Sequence, residues 1–479
     1  MMRNLTADHV PLQAPTRCRY VVLALVCALS MITYLDRTSL GSAAGSATGQ
    51  ILESMHLKSR SELKWVFLAF SLGYGLFEIP SGWLGDVFGP RATLIRVVLW
   101  WSAFVILTGM VGMSFGGWVL GGMGVLVVVQ FLFGAGEAGA YPNIARALHN
   151  WFPMRQRGIT QGVIWMSGRL MGGLTPLVWM LLVSAFHGYW RAAFWCFGGL
   201  GGCWCLLFAL WFKNRPEEKA SVNAAELALI RSGGGNAPPA HGKVPWRAIF
   251  SSRNLRLLCV MYACQSYGWY FNVYYLPGYM EDRYPVASRG VDWDTVLAAL
   301  YKGGPLWLGA LGCLLGGILT DAFIRRTGNR KLGRRIFGII GHSLSTVCFL
   351  LCPLAPSAFW FFVVISLSAF TSDLTMGSSW ASCQDIGRRY TAIVAGTMNM
   401  IGNLGGAAVG WMTGFILELS QDAYASRLGL LRHQLTADQM KAGSLLGYNV
   451  CFLLFAAVYL VAVFCWTRLD ATQPVTPDA

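Results

Sequence analysis

Four ionisable side chains lie inside long apolar stretches of the sequence. Asp36 and Arg37 are adjacent in the first stretch, Glu137 lies in the fourth and Arg169 in the fifth. An ionisable group inside a bilayer costs about 2.5 to 3.5 kcal/mol on insertion scales, so each needs a partner or a purpose. An arginine presents a permanent charge whose planar fork matches a carboxylate, and a carboxyl in a low-dielectric cavity can exchange a proton. These residue types predict anion binding and proton transfer within a membrane.

The composition indicates that the apolar stretches are membrane helices. The chain has 479 residues, of which 55% are hydrophobic and 12% are charged. Soluble domains carry about 25% charged residues. Twelve helices of about 22 residues would use nearly all of the apolar positions. The composition therefore argues against a soluble enzyme, a disordered chain or a secreted disulfide scaffold, and it predicts an all-α integral membrane protein with twelve transmembrane helices.

The charge balance and the metal-binding residue types point to no further partner class. The net charge is +15, which in a soluble protein would favour nucleic acid, but membrane proteins accumulate lysine and arginine in their cytoplasmic loops. The 13 cysteines fall in or beside apolar stretches and the 7 histidines are scattered. We therefore expect no nucleic-acid partner, no cofactor and no metal site.

Twelve apolar stretches, numbered here as spans 1 to 12, set the predicted topology. They begin near Tyr20, Trp65, Thr93, Gly117, Ile159, Ala192, Leu257, Leu306, Ile336, Phe359, Thr391 and Leu446. A cytoplasmic N-terminus places most lysines and arginines in cytoplasmic loops, so both termini are predicted to be cytoplasmic. The longest polar interval, residues 213–256, contains a Gly- and Pro-rich run typical of a flexible linker.

This linker divides the spans into two groups of six. We predict a cytoplasmic tail (1–19), a first six-helix bundle (20–212), the linker (213–256), a second six-helix bundle (257–467) and a second cytoplasmic tail (468–479). A weak internal echo supports the division, because Gly82–Arg91 after span 2 and Gly317–Asp321 after span 8 each place an acid beside basic residues. Two pseudo-symmetric bundles are typical of transporters built from repeats.

Several motifs resemble the major facilitator superfamily and, within it, the anion:cation symporter family. Gly82–Arg91 is similar to the loop pattern G-x-L-x-D-R-x-G-R-R, with Val87 and Pro90 in place of two basic residues. Further matches, in chain order, are Tyr34-Leu35-Asp36-Arg37, Gly136-Glu137-Ala138, Asn214-Arg215-Pro216-Glu217-Glu218, Val244-Pro245-Trp246, and Tyr267-Gly268-Trp269-Tyr270-Phe271 ahead of Leu276-Pro277. The resemblance covers nearly the whole chain and implies a transporter of a bacterial inner (plasma) membrane.

The resemblance implies that Arg37 contacts an anion and that Asp36 and Glu137 carry protons. The alternative for Arg37 is a structural ion pair with Asp36 or Glu137, and the alternative for Glu137 is helix packing. Arg169 departs from the family, whose members often carry Arg seven positions before the span 4 glutamate and Gln in span 5, where this chain has Gln130 and Arg169. Arg169 is expected either to bind a second carboxylate or to pair with Glu137, and the sequence leaves both open.

Polar and aromatic side chains of other spans complete the predicted binding surface. Hydroxyls, amides and aromatic faces suit a polyhydroxylated ligand whose carboxylate is held by arginine. The predicted substrate-binding residues are Arg37, Tyr34, Tyr74, Arg169, Tyr270, Ser379, Trp380 and Asn399, with Tyr74 placed by resemblance. For any single aromatic residue the alternative is helix packing or anchoring at the membrane surface. Glu78 and Asp373, the remaining acids in apolar stretches, are expected to be structural partners.

A separate set of charges is predicted to control conformation. Asp86, Arg91 and Asp321 lie at helix ends near basic loops, and Asp385 precedes two arginines. Such charges can hold the cytoplasmic side closed through pairs that break on opening. The alternative is that they are solvated loop charges, which contribute little.

These expectations describe a single-chain transporter that carries an organic anion inward with protons by alternating access. A sugar acid such as a hexuronate, aldonate or aldarate is the expected cargo, and the expected partners are that anion, protons and membrane lipid. The alternatives are sodium coupling, anion exchange, or a membrane sensor that binds without transport. No phosphate-binding loop or nucleophile–base constellation is recognisable in the sequence, so we do not expect an enzyme.

Overall fold

A computed structural model describes residues 14–45, 64–115, 118–231, 244–285 and 293–476. Most of these residues are helical, as their apolar composition predicts, since a helix satisfies its own backbone hydrogen bonds in lipid. Within the described residues the extended structure is one antiparallel hairpin, in which β1 (Met113–Phe115) pairs with β2 (Trp118–Leu120).

The helices of the first half correspond to spans 1 to 6. They are α1 (Cys18–Gly45), α2 (Lys64–Phe88), α3 (Pro90–Met110), α4 (Met123–Glu137), α5 (Ala140–Trp151), α6 (Arg157–Ala185) and α7 (Trp190–Trp211). Span 4 comprises both α4 and α5. Two short helices follow, α8 (Ala224–Arg231) and α9 (Trp246–Ser251).

The helices of the second half correspond to spans 7 to 12. They are α10 (Arg253–Tyr274), α11 (Leu276–Arg283), α12 (Trp293–Thr327), α13 (Arg330–Leu351), α14 (Ala358–Asp373), α15 (Met376–Gly387), α16 (Thr391–Arg427) and α17 (Ala437–Arg468). Span 10 comprises both α14 and α15.

The twelve-span prediction is confirmed, with four shifted boundaries, since span 9 begins at Arg330 rather than near Ile336, span 12 begins at Ala437 rather than near Leu446, and spans 4 and 8 also differ. Eight stretches of the described chain are long and apolar enough to cross a membrane on their own, and the stretch Ala358–Arg427 contains both span 10 and span 11. Helices α2, α6 and α10 supply the other three spans. Span 4 begins at Met123 rather than near Gly117 because β2 precedes it. Span 8 begins at Trp293, well before Leu306, because its helix continues through Pro305.

Spans 4 and 10 are interrupted at matching places. Span 4 breaks at Ala138 and Gly139, directly after Glu137, and span 10 breaks at Leu374 and Thr375, directly after Asp373. Each half therefore carries an acid at the break of its fourth span. Discontinuous helices at corresponding positions of two repeats are the feature by which a transporter sequence points to its binding site.

The two halves meet mainly along two helix pairs. The most extensive packing joins α6 to α12 and is made close by glycine: a methyl group at Gly162 would overlap the backbone carbonyl of Cys313. The second pair joins α2 to α16, where a methyl group at Gly82 would overlap the carbonyl of Ala392. These contacts put span 5 against span 8 and span 2 against span 11, the exchange expected between pseudo-symmetric bundles.

Part of the predicted linker is folded rather than flexible. Glu226 of α8 accepts hydrogen bonds from the backbone N–H groups of Cys18 and Arg19 at 3.1 Å each, and it pairs with the Arg19 guanidinium at 3.0 Å. Residues 213–231 are therefore attached to the start of α1, while 232–243 lie outside the described residues. The division into bundles at 20–212 and 257–467 stays a prediction.

Candidate functional site

Away from their ends, the described spans contain four buried acids and two arginines. The acids are Asp36, Glu78, Glu137 and Asp373, each at most 3% exposed, and the arginines are Arg37 and Arg169. Two cations can balance only two of the four carboxylates. The interior therefore contains more carboxyls than it can neutralise by ion pairing, which is the arrangement expected for groups that bind protons.

Arg37 is paired with Glu137 and still reaches open space. Its Nε donates to Oε1 of Glu137 at 2.9 Å, and Nη2 bonds the same oxygen. The Arg37 side chain is 23% exposed, whereas Glu137 is fully buried. Only one carboxylate oxygen is engaged, and Glu137 Oε2 has no hydrogen-bond partner. The guanidinium can therefore accept a second carboxylate as well as its present partner.

Three aromatic rings surround the Arg37 guanidinium. Its central carbon lies 4.7 Å from the ring centroid of Tyr74, 5.7 Å from Phe70 and 5.8 Å from Tyr34. These distances are within cation–π range, and the aromatic faces replace water around the charge. The structure thus brings together Arg37, Tyr34, Tyr74 and Glu137 of the predicted set, and it adds Phe70, whose position in the sequence indicates only helix packing.

Asp36 points away from Arg37. Its Oδ2 accepts a hydrogen bond from the indole Nε1 of Trp101 at 3.1 Å, and its Oδ1 has no partner. The expected alternative of an Asp36–Arg37 ion pair is therefore wrong. Asp36 is a buried carboxyl whose hydrogen-bond partner belongs to α3 of its own half.

Arg169 pairs with Asp373 across the two halves. Its Nη2 lies 2.7 Å from Oδ1 of Asp373, and its guanidinium lies 4.4 Å from the ring centroid of Trp269. The expectation that Arg169 pairs with Glu137 is corrected, because Glu137 is held by Arg37. Asp373 was predicted only as an unplaced structural acid; its position beside the span 10 break is the signal that could have identified it.

Breaking the Arg169–Asp373 pair should destabilise the protein strongly. Asp373→Asn leaves a buried guanidinium uncompensated and is expected to lower the free energy of unfolding by about 3 to 5 kcal/mol. The double variant Asp373→Asn with Arg169→Gln removes both charges and should recover most of this loss. Thermal unfolding of the two variants in detergent measures the difference; equal stability of the single and double variants would contradict the assigned pair.

A second contact between the halves is formed by Glu78 of α2 and Asn399 of α16. The Asn399 amide donates to Oε1 of Glu78 and, at 3.2 Å, to the hydroxyl of Tyr74. The Asn403 amide lies 3.5 Å from the same Glu78 oxygen, and the Tyr270 hydroxyl donates to Oδ1 of Asn403 at 2.9 Å. The structure thus brings the predicted residues Tyr74, Tyr270 and Asn399 together around Glu78, which was expected only to be a structural partner.

Ser379 and Trp380 lie elsewhere. Both are fully buried; the Ser379 hydroxyl donates to the carbonyl of Thr375 in its own span at 2.8 Å, and Trp380 Nε1 donates to the Tyr262 hydroxyl at 3.3 Å. The Trp380 ring packs 5.2 Å from Trp165 of the first half. In this conformation the two residues form part of the packing between the halves, so the expectation that they line an open wall facing Arg37 is corrected.

The acids predicted to control conformation bind helix N-termini of the opposite half. Asp86 accepts the N–H groups of Ala392 and Ile393, at 3.2 and 2.8 Å, where α16 begins. Asp321 accepts the N–H groups of Gly158 and Ile159, at 3.2 and 2.7 Å, where α6 begins. A carboxylate is favoured at a helix N-terminus because the unpaired N–H groups and the helix dipole attract negative charge.

Arginines reinforce both contacts. Arg146 lies 3.7 Å from Asp86. Arg334 bridges Asp321 at 3.3 Å and Asp385 at 3.1 Å, and Arg157 pairs with Asp385 at 3.0 Å. All these side chains are buried. In this conformation the end of the molecule that carries Asp86 and Asp321 is therefore closed by the carboxylate contacts with the opposite helix N-termini and by the Arg157–Asp385 pair between the halves.

Arg91 does not take part in this closure. Its backbone N–H donates to Asn214 at 2.9 Å, and its guanidinium donates to the carbonyl of Ala209 at 2.5 Å. Ala209 lies in α7 and Asn214 follows that helix closely, so neither partner belongs to the second half. The prediction that Arg91 holds the halves together is therefore corrected. Arg157, which pairs with Asp385, and Arg146, which donates to the carbonyl of Arg388 at 2.8 Å, do so instead. These arginines were predicted only to be loop charges. Many basic residues lie beside the end of a span, so that position alone does not distinguish them.

No metal centre emerges from the part of the chain that the structure describes, since it holds no group of three or more His, Cys, Asp or Glu residues that could bind a metal ion. The residues brought together at the site can recognise charge through Arg37 and Arg169, form hydrogen bonds through Tyr74, Tyr270, Asn399 and Asn403, and exchange protons at the carboxyls.

Comparisons with known proteins identify the family. The model of the Major Facilitator Superfamily matches residues 26–410. A probable sulfoacetate transporter of Cupriavidus necator is 34% identical over 405 residues, which cover 84% of this chain and 88% of that protein. A probable galactarate/D-glucarate transporter of Escherichia coli is 27% identical over 433 residues, covering 87% and 91%. The solved structure of the proton:xylose symporter XylE superposes with a TM-score of 0.67 at 12% identity, covering 95% of this chain and 96% of that one.

Proposed function

Because the chain belongs to the Major Facilitator Superfamily, we propose that it is a secondary active transporter that carries a small organic anion together with protons. The cargoes for which the similar proteins are named, sulfoacetate and galactarate or D-glucarate, are organic acids that bear a carboxylate. The chain is expected to work as a monomer, since both halves that enclose the site belong to one polypeptide. It is not expected to catalyse a reaction.

The observation that carries this proposal is the position of Arg37. It is a permanent cation in the first span, framed by three aromatic rings, with part of its side chain exposed and only one carboxylate oxygen bound to it. An arginine fork binds a carboxylate or a sulfonate through parallel hydrogen bonds. An anion that enters between the halves would therefore find its strongest partner here.

The Arg37–Glu137 pair supplies a physical reason for proton coupling. With Glu137 ionised the pair is neutral, so a carboxylate docked on Arg37 would leave one uncompensated negative charge in a buried site. Protonation of Glu137 makes the loaded site neutral and leaves the Arg37 guanidinium free to bind the anion. Anion and proton should therefore bind together and leave together, with Asp36 as the neighbouring acid that shares the proton.

Alternating access follows from the charge pairs at the closed end. Asp86 and Asp321 hold the starts of α16 and α6, so both contacts must break for this end to open. We place this end and both termini on the cytoplasmic side of a bacterial inner membrane, because the basic residues accumulate in the loops on that side. The site would then exchange its cargo with the opposite side in the conformation described.

The Glu137→Gln variant should bind the anion without responding to pH. Glutamine imitates the protonated acid, so Arg37 remains available at every pH. For one coupled proton, anion affinity in the wild type should fall about tenfold per pH unit once Glu137 ionises. Titration of the anion by thermal stabilisation at several pH values measures both slopes. Persistence of the wild-type slope in Glu137→Gln, with Asp36→Asn as the comparison, would assign the proton to another group.

Uptake into proteoliposomes tests the proposed function and identifies the cargo. The acids to be offered are sulfoacetate, galactarate, D-glucarate, D-galactonate and a hexuronate, under an inward proton gradient with and without sodium. Accumulation that requires the proton gradient and no sodium is the expected result. A sodium requirement, or uptake only against an internal anion, would replace proton symport with the corresponding mechanism. Binding of an acid with no uptake under any gradient would indicate a sensor.

A further inference from the structure

Glu78 is a buried carboxyl located where the two halves touch. It lies on α2, is fully buried, and accepts hydrogen bonds from Asn399 and Asn403 of α16 through Oε1. Its second oxygen, Oε2, is buried without a partner. The described residues place no cation within ion-pair distance of it. We propose that Glu78 is a second proton-binding site, protonated while α2 and α16 are in contact and ionised when they separate.

The charge inventory of the interior supports this assignment. Arg37 is matched by Glu137 and Arg169 by Asp373, so Asp36 and Glu78 remain without a counter-ion. An isolated ionised carboxylate in an apolar interior is costly, and such a group takes up a proton instead. The amide donors on Oε1 favour the ionised form, but they carry no charge and do not replace a counter-ion, and the free Oε2 is the atom left to carry the hydrogen.

Glu78 differs from Asp36 in what happens when the halves move. The partner of Asp36 is Trp101 of the same half, so a rigid-body motion of the halves leaves Asp36 in the same surroundings. The partners of Glu78 belong to the opposite half, so the same motion removes them and admits water. Water favours the ionised form, and Glu78 should release its proton at that point. Its protonation is thereby tied to the conformational cycle.

The groups that face Glu78 do not supply a compensating charge. Tyr74 of its own helix shares the Asn399 amide with it. Arg37 of α1 is near enough to interact electrostatically, but its charge is already balanced by Glu137 of α4. From the second half, α16 presents the neutral amides of Asn399 and Asn403, and α10 presents the Tyr270 hydroxyl behind Asn403. Tyrosine is neutral at physiological pH, so these contacts leave the carboxyl unpaired.

This inference rests on the proposed function for its role in transport, but not for its test. Infrared difference spectra of the purified full-length protein in lipid, recorded between acid and alkaline pH without any substrate, detect protonated carboxyls directly. Glu78→Gln should lose one carbonyl band that the wild type shows. Glu418→Gln is the matched control, because Glu418 is largely exposed near Arg432, and it should retain the band that Glu78→Gln loses.

The conservative variant keeps the test decisive if glutamine disturbs folding. Glu78→Asp retains a carboxyl and should show the same band at a shifted frequency. Spectra of Glu78→Gln and Glu78→Asp that both match the wild type would overturn the assignment, because Glu78 would then not titrate. Failure of the wild type to transport any acid would refute the proposed function and leave this spectroscopic result unaffected.

Transport then tests what the second proton does, with sulfoacetate as the probe. Glu78→Gln should lose gradient-driven accumulation of sulfoacetate and retain exchange of external for internal sulfoacetate, since exchange needs no net proton release. Accumulation at the wild-type level would show that the Glu78 proton is not coupled to transport. If the wild type does not transport sulfoacetate, that acid is removed from the proposed cargoes. The infrared comparison would still decide whether Glu78 binds a proton.

Discussion

Arg37→Ala is expected to abolish anion binding while the protein remains folded. The guanidinium is the partly exposed cation of the site, and its removal leaves the anion facing Glu137 and a group of aromatic rings. Truncating one partner of a buried charge pair costs about 2 to 5 kcal/mol, which corresponds to an affinity loss of roughly 30-fold to several thousand-fold. Equilibrium binding of the best acid from the uptake panel measures this loss.

Two further variants show whether the loss of anion affinity arises from the planar guanidinium of Arg37 or only from its positive charge. Arg37→Lys keeps the charge but offers no planar pair of donors, so it should bind with intermediate affinity. Arg91→Ala removes an arginine whose hydrogen bonds lie near the end of the first half, and it should bind like the wild type. Wild-type affinity in Arg37→Ala would refute Arg37 as the anchor and redirect attention to Arg169.

The second large effect is expected at the closed end, from Asp385→Ala. This carboxylate pairs with both Arg157 and Arg334, whose side chains are at most 1% exposed. Its removal leaves buried guanidinium charge uncompensated, at a cost of about 3 kcal/mol or more, so opening of this end should become roughly 100-fold more frequent. Hydrogen exchange of the segment that contains Gly158 and Ile159, whose N–H groups bind Asp321, reports the opening.

Asp470→Ala is the matched control for this experiment. Asp470 pairs with Lys331 at 2.6 Å, and both side chains are partly exposed, so the pair should contribute at most about 1 kcal/mol. Partial burial raises the pKa of Asp470, but hydrogen bonds from Lys331 and Thr472 outweigh it and lower the pKa to about 2. The control thus removes an ionised carboxylate at any physiological pH. Equal exchange rates in the two variants would contradict the closing role of Asp385.

The sequence predicted the elements of the fold well because each span carries its own signal. Length and apolar composition identify a membrane helix without reference to the rest of the chain, and the echo between Asp86 and Asp321 indicated two related halves. The boundaries that shifted, at Met123, Trp293, Arg330 and Ala437, lie where a hairpin or a polar helical extension replaces the apolar signal. Those features depend on neighbouring segments rather than on local composition.

The partners of the charged residues could not be predicted in the same way. Each ionisable residue in a span is visible by itself, but Arg169 and Asp373, or Asp86 and Ala392, are brought together only by the packing of one half on the other. The sequence alone does not show which of these residues lie close together in space. Glu78 is an example. It was expected to be a structural partner, and its proposed proton binding is inferred from Asn399 and Asn403, which belong to the opposite half.

The central claim, that an organic anion enters together with a proton, is tested most directly by luminal pH. Proteoliposomes that contain the protein and a trapped pH indicator would receive each acid of the panel at equal internal and external pH. The account predicts luminal acidification with the transported acid, absent from Arg37→Ala and from protein-free liposomes. Uptake of the same acid with no change in luminal pH would contradict it.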